Sequence, residues 1–106
     1  MTTEATLDEL DAARAAGAQI VDVRESDEYA EGHVPGARLM PLGLVPVLAH
    51  ELPRDTAVHV VCASGARSAQ AADILRRAGV DARSVAGGTS AWIRSGRPVE
   101  TGAPRP

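Results

Sequence analysis

The sequence predicts an α/β domain with a mostly parallel sheet and helices on both faces, and three observations predict it. Short β-branched apolar runs such as Val58-His59-Val60-Val61 alternate with stretches rich in Ala, Leu and Arg, the pattern of parallel strands joined by crossover helices. Glycines stand where those helices should stop, at Gly17 and Gly79. The length of 106 residues favours a single domain over 1–106. A chain of this size buries roughly 65% of its unfolded surface, enough for one core.

The elements follow in order. Thr6-Leu7-Asp8-Glu9 has the form of a capping box, so a helix should run from Thr6 to Ala16 with Leu7 and Leu10 inward. Gln19 to Val23 is a short strand, which puts Asp22-Val23-Arg24 at its C-terminal end, where open α/β sheets place ligands. Ser26 is expected to cap a single turn from Asp27 to Ala30, with Tyr29 packed inward. Gly32-His33-Val34-Pro35-Gly36-Ala37 is a tight loop by its punctuation. A lone loop histidine such as His33 is more often structural than catalytic.

Arg38 to Met40 is a further strand. Pro46 is tolerated only in a first helical turn, so a helix is expected from about Leu44 to His50. Val58 to Val61 reads as the central strand, and Ala69 to Ala78 as a helix of good helix formers. Ala82 to Val85 is the last strand. Gly87-Gly88-Thr89 turns into a helix from Ser90 to Arg94, anchored by Trp92. The core spans about 6–99, and 100–106 is expected to be a tail that frays.

The chemistry centres on Cys62-Ala63-Ser64-Gly65-Ala66-Arg67-Ser68, between the central strand and a helix. A tight turn feeding a helix N-terminus directs backbone N–H groups into one concave space, and the helix dipole adds partial positive charge. A thiol heading such a cradle should have a depressed pKa. Arg67 could close over an anion with its fork of donors. A lone cysteine at a strand end can also be a small buried hydrophobe. The glycine, the arginine and the helix start favour chemistry, because a packing cysteine needs none of them.

At these residues the chain resembles the rhodanese domains, which carry a reactive cysteine in a C-x-x-G-x-R loop. Cys62 to Arg67 matches that loop, and Ser68 matches the residue that commonly follows. Asp22-Val23-Arg24 leading to Gly32-His33-Val34-Pro35-Gly36-Ala37, and Gly87-Gly88 followed by Trp92, match two more signatures, so the resemblance runs from Thr6 to Val99. It implies a rhodanese-like fold with about five strands, and a sulfurtransferase carrying sulfane sulfur as a persulfide on Cys62. Ala63, Ser64, Gly65, Ala66, Arg67 and Ser68 would form the anion loop, with Arg67 holding the donor or steadying the loop. Asp22, Arg24, His33, Gly87 and Gly88 would be structural near the site. It implies no cofactor and no metal. The partners would be a small anionic sulfur donor, such as thiosulfate, and a sulfur-relay protein or thiol acceptor.

One departure matters: many such loops carry a basic residue directly after the cysteine, and here it is Ala63. Two other readings stay open, a Cys-dependent phosphatase or arsenate reductase, and a non-enzymatic binding or sensing module. Phosphate-acting relatives of the fold have a loop one residue longer, which favours sulfur. Retention of both Cys62 and Arg67 favours an enzyme.

Composition narrows the field further. Only Tyr29 and Trp92 are aromatic and the formal net charge is −3, which argues against nucleic-acid binding. Residues 1–50 hold nine acids and three Arg, whereas 51–106 hold five acids and eight Arg. The half containing Cys62 therefore suits an anionic substrate. His59 has no second ligand-type residue nearby in sequence, so no metal site is expected there. One cysteine allows no intrachain disulfide. Met1-Thr2-Thr3-Glu4 lacks the features of a signal peptide, and no apolar run approaches membrane-spanning length. No membrane association is expected, and the cytoplasm is the expected location.

Overall fold

The computed structural model describes residues 4–104. The start Met1–Thr3 and the last two residues of the expected tail lie outside the described residues. The elements are β1 (Glu4–Ala5), α1 (Leu7–Ala15), β2 (Ile20–Asp22), α2 (Ser26–Glu31) and β3 (Arg38–Leu39), followed by α3 (Val45–Leu48), β4 (Val58–Val61), α4 (Ala66–Arg77), β5 (Ala82–Val85) and α5 (Gly88–Arg94). The five strands form one parallel sheet in the order β1-β5-β4-β2-β3.

Val58 to Val61 is buried along its whole length, as a central parallel strand covered on both faces should be. Val58, Val60 and Cys62 pack with Val45 of α3 and with Ala71, Ala72 and Leu75 of α4. Val61 packs on the opposite face with Leu10, Tyr29 and Trp92, from α1, α2 and α5. Asp22 pairs in register with Val61, so β2 and β4 end side by side. That register brings Asp22-Val23-Arg24 and Cys62 to the same edge of the sheet.

The capping box at α1 forms in both directions: Glu9 N–H donates to Thr6 Oγ1, and Thr6 N–H donates to Glu9 Oε1. Elsewhere the structure corrects the sequence reading. β1 was not expected; its two residues become a strand because they pair with Ser84 and Val85. Glu25, not Ser26, caps α2, and its N–H is held by Glu28 Oε1 at 3.1 Å. The expected helix over 44–50 is broken into a 3₁₀ turn Leu42–Leu44, the short α3, and a second 3₁₀ turn Ala49–Glu51. Pro46 sits in the first turn of α3, and on either side of that short helix the chain closes tighter bonds, Leu44 N–H to Pro41 C=O and Leu52 N–H to Ala49 C=O.

α4 begins at Ala66 rather than Ala69, because Gly65 at φ +124° reverses the chain directly into the helix. α5 likewise begins at Gly88 rather than Ser90. The start of the expected tail is tied down. Trp92 Nε1–H donates to Pro98 C=O at 2.7 Å, His33 and Glu100 exchange backbone bonds, and Gly102 N–H reaches Ala30 C=O. No helix among the described residues is long and apolar enough to cross a membrane.

Candidate active site

The site is assembled where β4 gives way to α4. Cys62 follows the last residue of β4 and is 1% exposed, and Gly65 caps the helix three residues later. This short turn brings Gly65 N–H to 3.1 Å from Cys62 Sγ. Ser68, one helical turn in, places its hydroxyl 3.5 Å from the same sulfur. Burial pushes the Cys62 thiol up, but the Ser68 hydroxyl and the backbone N–H groups of Ser68, Gly65 and Ser64 outweigh it. The net shift is downward, toward thiolate.

α5 braces the loop from behind. Thr89 N–H donates to Cys62 C=O at 2.8 Å and Ser90 N–H to Ala63 C=O at 3.0 Å. These bonds hold the carbonyls of Cys62 and Ala63 on the side of α5. Gly88 lies so close that a Cβ there would sit 2.5 Å from Cys62 O and 2.8 Å from Ala63 O. The neighbouring Gly87 takes the left-handed conformation that starts α5.

Arg67 is engaged by a carboxylate of its own chain. Its Nη1 and Nη2 both donate to the Glu28 carboxylate at 2.8 Å, joining α4 to α2. This forked pair holds the Glu28 carboxyl down at about 2 and raises Arg67 above its ordinary value. The pair ties α4 to α2, and any anion at this arginine would compete with Glu28 for it. Ala63 is half-buried, Ser64 and Ala66 are exposed, and Ser68 is buried.

Asp22 and Arg24 form a buried ion pair at the end of β2, with Nη2–Oδ2 at 2.8 Å. Arg24 also donates to Gly32 C=O at 2.8 Å, tying the strand end to the following loop. His33 stacks on Tyr29 with ring centroids 3.6 Å apart, and its Nδ1 lies 2.8 Å from Tyr29 C=O. A carbonyl partner fixes Nδ1 as the protonated nitrogen. A cleft of about 610 Å³ lined by Tyr29, His33, Ala37 and Glu100 lies on that side; the Cys62 loop does not line it. Among the described residues no three His, Cys, Asp or Glu side chains are grouped to hold a metal.

Two site residues escaped the sequence reading. Glu28 is 39 positions from Arg67, and nothing local announces the pair. Ser84 lies 2.7 Å from Ser68 Oγ in the buried layer behind the thiol. It did carry a signal: a polar residue two positions from Ala82, on the strand face turned to the core.

Comparison with known proteins agrees with this architecture. A family model described as Rhodanese-like domain matches residues 6–95. A sulfurtransferase of Allochromatium vinosum is 40% identical over 81 residues, covering 76% of each chain. The crystal structure of a rhodanese-like domain protein from Staphylococcus aureus superposes with a TM-score of 0.83 at 35% identity, covering 97% of this chain and all of the other. A thiosulfate sulfurtransferase from Pseudomonas aeruginosa gives a TM-score of 0.84 at 30% identity, covering 96% of this chain but 21% of that one.

Proposed function

The chain belongs to the rhodanese-like domain family, and from that membership we propose that it is a sulfurtransferase working through a persulfide on Cys62. The observation that carries the reading is the placement of Gly65 N–H and the Ser68 hydroxyl on one buried sulfur whose pKa is lowered. In the first half-reaction the Cys62 thiolate attacks the outer sulfur of a donor. The bond between that sulfur and the donor's leaving group breaks, and the leaving group departs with the electron pair. With thiosulfate the leaving group is sulfite. In the second half-reaction a thiophilic acceptor attacks the outer sulfur and the Cys62 thiolate returns as the leaving group.

The loop's N–H groups stabilise charge on the sulfur in both halves, as an oxyanion hole does for oxygen. Glu28 already occupies Arg67, and Ala63 offers no charge, so the loop has little to attract a free dianion. This favours a persulfide delivered by a relay protein over free thiosulfate as the working donor. The residues act without an organic cofactor or metal, and the reaction is consistent with a cytoplasmic setting. Steady-state kinetics with thiosulfate and cyanide test the scheme. Parallel double-reciprocal lines are expected for two half-reactions, and intersecting lines would contradict them.

A further inference from the structure

A serine hydroxyl has one proton to give and two lone pairs to fill. Ser68 Oγ has three neighbours for these: Gly65 C=O at 3.0 Å, Cys62 Sγ at 3.5 Å and Ser84 Oγ at 2.7 Å. Cys62, Ser68 and Ser84 are respectively 1%, 0% and 5% exposed, so water does not reshuffle these bonds. If Ser68 spent its proton on Ser84, neither Gly65 C=O nor the sulfur could receive it. If Ser84 is the donor, the Ser68 proton is left free to choose between them.

We propose that Ser84 is a positioning residue for the sulfur nucleophile: by donating to Ser68, it orients and polarises the Ser68 hydroxyl, which turns its proton onto Cys62 Sγ as a stronger donor when that sulfur is a thiolate. This rests on the reading of Cys62 as nucleophile. With the thiol protonated, S–H donates to Ser68, Ser84 donates to Ser68, and Ser68 donates to Gly65 C=O. When the thiol loses its proton, the Ser68 hydroxyl rotates to the sulfur and the bond from Ser84 stays in place. Gly65 C=O is not orphaned by the move, because Ala69 N–H donates to it at 3.1 Å. A hydroxyl that accepts a bond is also a stronger donor, so the bond from Ser84 strengthens the one to sulfur.

The charged groups around the thiol come from other elements. Arg67 of α4 is held by Glu28 of α2, and Asp22 and Arg24 close on each other at the end of β2. On β5 itself, Arg83 faces away from Ser84 and pairs with Asp81. The polarity reaching Ser68 from β5 is therefore that of the Ser84 hydroxyl.

The test is the pH profile of Cys62 alkylation by iodoacetamide, measured with no sulfur donor present. Ser84→Ala is expected to raise the midpoint by roughly half to one pH unit, a three- to tenfold loss of thiolate near neutrality. Ser84→Thr keeps the hydroxyl on a strand-compatible side chain and should hold the wild-type midpoint. In a Ser68→Ala background, Ser84→Ala should produce no further shift, because its action passes through Ser68. An unmoved midpoint in Ser84→Ala, equal shifts in Ala and Thr variants, or additive shifts in the double variant would each overturn the proposal. The S–H stretch of the wild-type thiol gives a reading that needs no variant. A band lowered by hydrogen bonding is expected, and a free-thiol band would overturn the assignment. Sulfur loading of the wild-type protein is followed in parallel. Its failure would remove the sulfurtransferase reading while leaving the titration result intact.

Discussion

Arg67 of α4 and Glu28 of α2 are joined by two parallel hydrogen bonds of 2.8 Å, so the arginine beside the thiol is engaged by a carboxylate of its own chain. The pair closes one side of the site and links the helix that starts at the reactive loop to the helix that precedes Gly32. Its side chains are about one-third exposed, at 34% and 33%, so solvent and salt screen it.

A double-mutant cycle over Arg67→Ala and Glu28→Gln is therefore expected to give a coupling of about 0.5–1 kcal/mol in urea denaturation. Zero coupling would mean the two residues act independently. The pH dependence has a definite sign. The Glu28 carboxyl is lowered from 4.5 to about 2 in the folded chain, so its contribution is fully present above 4.5 and fades as pH falls toward 2. The stability gap between wild type and Glu28→Gln should shrink over that range. A constant gap would contradict the bridge.

Gly88→Ala tests the bracing of the loop from behind. The added Cβ would meet two backbone oxygens, 2.5 and 2.8 Å away, at φ +55°. A loss of roughly 2–4 kcal/mol is expected in urea denaturation, with slower alkylation of Cys62. Gly17→Ala serves as the control, since Gly17 has a positive φ but open space around it. It should lose only about 1–2 kcal/mol. Equal losses at the two sites would mean the clash with the Cys62 loop is unimportant.

The sequence made some parts of this site legible and hid others, for physical reasons. The strand–turn–helix around Cys62 was readable because local chemistry dictates it: β-branched residues, then a glycine with φ +124°, then helix formers. The capping box of Thr6 and Glu9 was equally local. β1 was hidden because two residues carry no periodicity, and only pairing with β5 makes them a strand. Glu28 was hidden because its partner arrives from another helix, so a sequence reading leaves Arg67 between holding the donor and steadying the loop. The bonds at the start of the tail were hidden because its proline and glycine content resembles a frayed end. The bonds that hold it come from Trp92, His33 and Ala30, far back in the chain.

Ending the chain after Gly96 tests that last point. Among the described residues it removes six hydrogen bonds: Trp92 Nε1–H to Pro98, the two backbone bonds between His33 and Glu100, Gly102 N–H to Ala30, Gly36 N–H to Glu100 Oε1, and Arg97 Nη2–H to Asp8 Oδ1. It also removes the Arg97 guanidinium, 5.5 Å over the Trp92 ring. A loss of about 2–4 kcal/mol is expected in urea denaturation. A truncated chain as stable as the full one would show that this segment only lies on the surface.

Ala63→Arg tests why the loop should be a poor host for a free dianion. A guanidinium beside the thiol would supply a charge that Glu28 does not already hold. KM for thiosulfate is expected to fall by roughly 5- to 100-fold, the worth of one charge-assisted bond. An unchanged KM would place the limitation elsewhere in the loop.

The central claim is that Cys62 carries sulfur as a persulfide, and intact-protein mass spectrometry reads it directly. Wild-type protein and Cys62→Ser are each incubated with thiosulfate and, separately, with a persulfide donor. The account predicts a gain of one sulfur atom on the wild-type chain, larger from the persulfide donor, absent from Cys62→Ser and removed by cyanide. No gain from either donor would contradict it.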